Sequence, residues 1–211
     1  MNNIVVIGTG GFGREVMMLI EQINKESKRW NVLGFIDDYL KPGITVNGHK
    51  VIGDVEYLLN SIDRLEVCIG IGSSKGRREV ASKLKVNKNL SFPKIISPDV
   101  FISDYVDISE GVIVCSGVIM TVNITLEKFC TIDRMTTIGH DCLIGKFASI
   151  RPCVSISGNV NIGSGCEIGV GSIVIEKKTI GKNTIIGAGA VVVTDIESNK
   201  TAVGVPAKEI K

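Results

Sequence analysis

The sequence predicts two domains of different class: an α/β domain with a small parallel sheet over residues 1–95, and an all-β parallel solenoid over residues 96–211. Three observations carry this. Short apolar runs alternate with helix-patterned segments in the first part. A glycine-rich turn, GTGGFG at 8–13, joins the first apolar run to the first helical pattern. From residue 102 to residue 192 every sixth position is Ile, Val, Leu or Met.

In order along the first domain, IVVIG is a short buried strand, and REVMMLIEQIN carries apolar residues at 16, 19, 20 and 23, the spacing of one helical face. VLGFIDD is a second strand, DVEYLLN a short helix, EVCIGIG a third strand and KGRREVASKLK a polar-faced helix. This is a βαβ pattern of about three strands. His49, in VNGHKVIGD, falls in a turn between two β-like pieces.

In the second domain the sixteen apolar hits would arise by chance roughly once in 10⁵ to 10⁶ trials, so the repeat is real. Two positions before each hit the side chain is usually small or β-branched, as at Thr136, Cys142 and Ala148, with Ile124 and Lys178 the exceptions. Residues two apart in a strand share a face, so each six-residue unit sends one large and one small side chain inward. Glycine follows the large residue at 139, 145, 163, 169, 181 and 187, which predicts corners with backbone angles that other residues disfavour. Three such sides close a triangular coil of 18 residues, and the run makes a prism ~25 Å tall.

The totals narrow the chemistry. A net charge of +2 gives no electrostatic case for nucleic acid or an anionic membrane. The apolar run before the first glycines is too short for a signal peptide, and no segment approaches the ~20 apolar residues of a membrane span. Six cysteines in no C-x-x-C pattern, with two histidines, argue against a metal site and for free thiols in a reducing cytoplasm. Cys130, Cys142 and Cys166 fall in the small inward series, whereas Cys115 and Cys153 lie outside it and are expected at the surface.

Two constellations carry chemistry. Gly8, Gly10 and Gly13 form G-x-G-x-x-G between a strand and a helix, with Asp37 and Asp38 at the end of the next strand. Such a loop lets backbone N–H groups approach phosphates at a helix N-terminus while an acid meets a ribose or base. A tight packing turn without ligand is the plain alternative, and a nicotinamide dinucleotide is disfavoured because the second mononucleotide half is missing. The other constellation is His140–Asp141, two positions past Ile138 and therefore at a corner, outside the core. A solvated surface histidine is the default there. Asp141 is an acid able to orient the ring, Gly158 one coil on removes a side chain where a thioester would approach, and Asp133 adds a second carboxylate one corner earlier. Cys142 is expected to be core and not a nucleophile.

The hexapeptide pattern, together with VIGTGGFGREV, IGHDCLIGKF, SISGNVNIG, IGAGAVV and VGVPAKEI, resembles the sugar O-acyltransferase, sialic acid O-acetyltransferase NeuD family, which includes PglD-like N-acetyltransferases of nucleotide-linked amino sugars. The resemblance covers essentially the whole chain. It implies an α/β N-terminal Rossmann-like βαβ domain plus an all-β C-terminal left-handed parallel β-helix, with residues 1–95 binding nucleotide-sugar and 96–211 binding acetyl-CoA as co-substrate. It implies a homotrimer, with acetyl-CoA in the groove between adjacent prisms.

It also implies site residues. His140 would be the base and Asp141 its tuning acid. Gly10, Gly11, Phe12, Gly13, Asp37, Asp38 and, from a G-N-x-x-x-R-like loop, Gly72 and Arg77 would hold the nucleotide-sugar, with Asp133 also on the substrate; Ser73 stands where the pattern has asparagine. Ser149, Gly158, Val170, Ala188 and Lys208 would meet the cofactor, Ser149 standing where relatives carry a histidine. The expected reaction is direct acetyl transfer to a sugar amine; O-acetylation and a non-catalytic nucleotide-sensing scaffold are the alternatives.

Overall fold

The first four core side chains of the chain, Ile4, Val5, Val6 and Ile7, are buried because their strand is flanked on both sides by other strands. This strand, β1 (Asn2–Ile7), is followed by α1 (Gly11–Glu26), β2 (Trp30–Ile36), β3 (Thr45–Val46), β4 (His49–Gly53), α2 (Val55–Leu59), β5 (Leu65–Ile69), α3 (Ser74–Leu84) and β6 (Leu90–Ser91). The structure is a computed structural model and describes residues 1–210. It divides into one unit of Met1–Ile95 and a second that starts at Ile96.

In the first unit the six strands run in the order β3-β4-β2-β1-β5-β6. All neighbours are parallel except the β3–β4 hairpin. Sequence reasoning anticipated about three strands; β3 and β4, which form the hairpin, and β6 are additional, being short pieces at or near the sheet edges. Asn47 and Gly48 turn the hairpin with φ of 47° and 85°, the Asn-Gly chemistry of a tight two-residue turn. His49 therefore begins a strand, and its Nε2 lies 2.7 Å from Glu21 Oε1. From β1 the chain winds one way through β2 to β4, then crosses to the other side as β5. The sheet thus has its topological switch between β1 and β5, where a crevice opens at the C-terminal strand ends.

The second unit is a left-handed parallel β-helix. Its strands, most of them two residues long, stack on three faces with a register of 18: Thr131 pairs with Ser149, Thr137 with Ser155, and Leu143 with Asn161. We call the face through Thr131–Ile132 and Ser149–Ile150 the first, that through Thr137–Ile138 the second, and that through Leu143–Ile144 the third. The large repeat residues from Ile108 to Val192 are buried in one continuous core. Ile102 is 37% exposed, because its strand is the last of its sheet and no coil lies beneath it.

Every sixth residue from Gly111 to Gly189 has φ near +60°, including Phe129, Asp141, Cys153 and Asn159. These positions, three after the large residue, are the left-handed corners. The glycines directly after the large residue do something else. A Cβ at Gly139 would stand 2.8 Å from Gly158 N, and one at Gly145 2.5 Å from Ser164 N. They are glycine because the next coil passes too close for a side chain, and this corrects the conformational reason that sequence reasoning assigned them.

Candidate active site

The corners between the second and third faces carry His140. Ile138 anchors the strand in the core, Gly139 lets the next coil pass, and the chain then turns through Asp141 at φ 57°. That left-handed turn folds the carboxylate back on its neighbour, so His140 Nδ1 and Asp141 Oδ2 are 2.7 Å apart. An ionised carboxylate only accepts, so Nδ1 carries a proton, and in the neutral imidazole Nε2 then keeps its lone pair. The hydrogen bond from His140, then that from Asn123, hold the Asp141 carboxyl below the ordinary aspartate range. More than half of the His140 side chain, 57%, is exposed to solvent.

Gly158 sits one coil on, where a Cβ would stand 2.5 Å from His140 Nε2 and 2.6 Å from Cε1. The absent side chain makes room for the imidazole itself. No partner among the described residues takes the Gly158 N–H, whereas its carbonyl accepts from Lys177 N at 3.0 Å. Cys142 points inward, its thiol donating to Ser157 O at 3.1 Å, and burial pushes its pKa up. Cys115 is buried, contrary to expectation, and Cys153 is exposed.

The other expected site residues of this unit lie away from His140 within one chain. Asp133 is at the corner between the first and second faces, one edge of the prism away from His140. It accepts from Arg134 N at 2.7 Å and is 7% exposed. Val170 and Ala188 share that other edge, where both are exposed. Ser149 is fully buried, as are its face neighbours Ile113 and Thr131 to within a few per cent, so its side chain cannot reach a solvent-borne cofactor. Lys208 is exposed on the terminal strand, opposite Val203.

In the first unit the crevice at the switch point is a cavity of about 860 Å³. The N-terminus of α1 opens into it. Its N-cap, Gly10, supplies no side-chain acceptor, and no acid stands in the first turn. A Cβ at Gly10 or Gly11 would meet nothing within 4 Å, so their backbone faces open space, and Phe12 lines the same wall. Gly13 is different: a Cβ there would collide with the Gly8 carbonyl, so this glycine seats the helix on the sheet and does not line the cavity.

The two acids also divide. Asp37 Oδ2 takes the Thr9 N–H and hydroxyl at 2.8 and 2.6 Å, and Oδ1 takes the Tyr39 and Leu40 N–H groups. Burial raises its pKa, but these donors outweigh that and leave it lowered. Both its oxygens are thus committed to the protein. Asp38 is exposed and uses Oδ1 for the Val55 N–H at 2.9 Å. Arg77 is 1% exposed and donates from Nη1 to Ile71 O and Gly72 O, both at 2.9 Å. It braces the loop that carries Gly72 and does not enter the cavity. The wall it was expected to supply comes from Glu79, Val80 and Lys83 on α3, which sequence reasoning missed. A helical spacing of three and four from Gly76 is the signal that could have found them. Ser73 caps α3, accepting from Gly76 N at 3.4 Å.

Comparison with known proteins places this geometry. The PglD N-terminal domain family matches residues 3–84. The acetyltransferase domain of PglB from Neisseria gonorrhoeae, also solved with acetyl coenzyme A, is 30% identical over all of both chains, with a TM-score of 0.92. WeeI from Acinetobacter baumannii is 32% identical, again over all of both chains, with a TM-score of 0.89. A variant of perosamine N-acetyltransferase from Caulobacter crescentus, in which a histidine is replaced by asparagine, was solved with CoA and GDP-perosamine. It is 28% identical over all of this chain and 98% of that one, with a TM-score of 0.91. Among curated proteins, one of Schizosaccharomyces pombe that is named as a candidate acetyltransferase is 55% identical over 42 residues, a fifth of each chain.

Proposed function

The chain belongs to the PglD-like sugar acetyltransferases, and from that premise we propose that it moves an acetyl group from acetyl-CoA to the amino group of a nucleotide-linked amino sugar, with His140 as general base. The observation that carries this is the His140–Asp141 pair: an exposed imidazole whose Nδ1 is engaged at 2.7 Å and whose Nε2 is free.

In this reading the sugar nitrogen attacks the thioester carbonyl. A C–N bond forms, the C–S bond breaks, the N–H proton passes to Nε2, and CoA departs as the thiol after taking up a proton. A positioned base contributes ~10²–10⁴-fold to such a step. The unpaired Gly158 N–H beside the ring is the donor for charge gathering on the carbonyl oxygen. Asp141, held ionised, stabilises the imidazolium as it forms. The nucleotide half occupies the crevice of the first unit. There the uncapped α1 terminus at Gly10, Gly11 and Phe12 receives phosphate, Gly72 lines the opposite strand end, and the free oxygen of Asp38 meets a hydroxyl or base edge. Asp37 lines the same cavity and, with both oxygens bonded to the protein, ties the β1–α1 turn to the segment after β2.

The same assignments require more than one copy of the chain, and a homotrimer is the assembly proposed. Val170 and Ala188, proposed with Gly158 and Lys208 to line the CoA site, stand on a different prism edge from His140. One chain cannot bring both sets to one thioester, whereas a groove between two copies can, and Asp133 then belongs to the edge that faces the neighbour's His140. The test is a panel: acetyl-CoA with UDP-, GDP- and dTDP-linked amino sugars and their hydroxyl counterparts, following thiol release, with mass measured by light scattering. Turnover confined to amino sugars by a trimer supports the reading. Turnover of hydroxyl sugars alone replaces it with O-acetylation, and no turnover on any sugar favours a binding scaffold.

A further inference from the structure

Asn123 stands one coil before Asp141, in the same corner column and the same left-handed conformation, with φ 55° against 57°. One coil is 18 residues, so the two side chains leave parallel backbones in one direction, ~4.8 Å apart. Asn123 Nδ2 donates to Asp141 Oδ1 at 3.0 Å, while Asp141 Oδ2 meets His140 Nδ1 at 2.7 Å. The carboxylate is held at both oxygens in one line, Asn123 to Asp141 to His140.

We propose that Asn123 is a positioning residue for the transfer reaction: by fixing the carboxylate of Asp141 it holds the His140 imidazole in the tautomer that leaves Nε2 free. The inference rests on His140 being the base. Exposure is what makes a third residue necessary. The Asp141 side chain is 45% exposed and that of His140 57%, so the contact of the ring with Gly158 on one side leaves both side chains room to move. A carboxylate bonded at one oxygen swings about its χ angles, and an imidazole in water then exchanges between tautomers; the bond its other nitrogen makes selects one. The second bond, from a side chain planted on a different coil, removes that freedom. Paired corner amides also occur for architecture alone, as where Asn183 Nδ2 donates to Asn199 Oδ1 at 3.2 Å on another edge. What sets Asn123 apart is that its acceptor is the acid already engaged with the histidine.

The experiment uses Asn123→Gly, which suits a left-handed corner, beside Asp141→Gly and the double variant in the full-length protein. As a second probe, Asn123→Asp keeps the shape and loses the donor. The chain has two histidines, so ¹⁵N imidazole signals are assigned by comparison with His49→Gln. Expected for Asn123→Gly is a kcat about tenfold lower with both KM values within about twofold. The His140 signals should move from Nδ1-protonated towards Nε2-protonated, and nothing further should be lost when Asp141 is already glycine. An unchanged tautomer and kcat in both Asn123 variants, or losses that multiply in the double variant, would overturn the inference. Full activity in His140→Ala would instead sink the base assignment, and the tautomer shift would still be readable on its own.

Discussion

The imidazole of His140 lies against Gly158 so closely that a Cβ there would stand 2.5 Å from Nε2. The atom met is the far end of a side chain on the surface, so the conflict created by Gly158→Ala is relieved by moving the ring and not the coil. We predict a melting temperature within a few degrees of wild type and a kcat ~10²-fold lower, since a displaced catalytic group of about 1 Å costs that much. A fall in stability without a fall in kcat would show that Gly158 serves the coil alone.

The contrast between two glycines of the phosphate loop gives a second test. Gly10→Ala should fold normally, since a Cβ meets nothing within 4 Å, yet it intrudes on the cavity and should raise the KM for nucleotide-sugar. Gly13→Ala drives a methyl into the Gly8 carbonyl and should cost ~1–3 kcal/mol of stability. Thermal melts and sugar titrations of both variants check the pair.

These glycines mark the border of what the sequence discloses. The period of six and the βαβ alternation are local patterns, so both halves and the corner position of His140 were readable residue by residue. The period also held the separation of Asp133 from His140: seven residues is one corner on, hence another edge. Side-chain direction was not readable. Arg77 fits a loop motif by spacing, but α3 is rotated so that it points to the Ile71 and Gly72 carbonyls. Ser149 occupies an outward strand position, yet it is fully buried. Neither fact is local, because each depends on what packs over the residue.

Acid should weaken the fold through Asp37. Its folded pKa lies below the ordinary 3.8, so its contribution is full above that value and is lost as pH falls through the folded one. Asp37→Asn should lower stability at pH 7 by roughly 1–3 kcal/mol, having lost charged acceptors of Thr9, Tyr39 and Leu40. The gap from wild type should narrow below pH 3.8. Denaturant titrations at pH 7 and pH 3 measure it, and a gap that does not narrow would contradict the sign.

Thiol chemistry should follow burial. Of six cysteines five are buried and Cys153 is exposed on the single chain, at the edge proposed to face a neighbouring copy, so a thiol reagent should modify at most one group per native chain and six after unfolding. Cys142→Ala should retain turnover, because that thiol is buried and its pKa raised; complete loss in a folded variant would bring back a covalent mechanism.

Acetyl transfer by His140 is tested most directly by thiol release from acetyl-CoA with the nucleotide-linked amino sugar of the panel that wild type uses best, in wild type and His140→Asn under saturating substrates. The account predicts CoA-dependent turnover in wild type and a kcat ~10²–10⁴-fold lower in the variant, with the trimer intact. Equal turnover in the two proteins would contradict it.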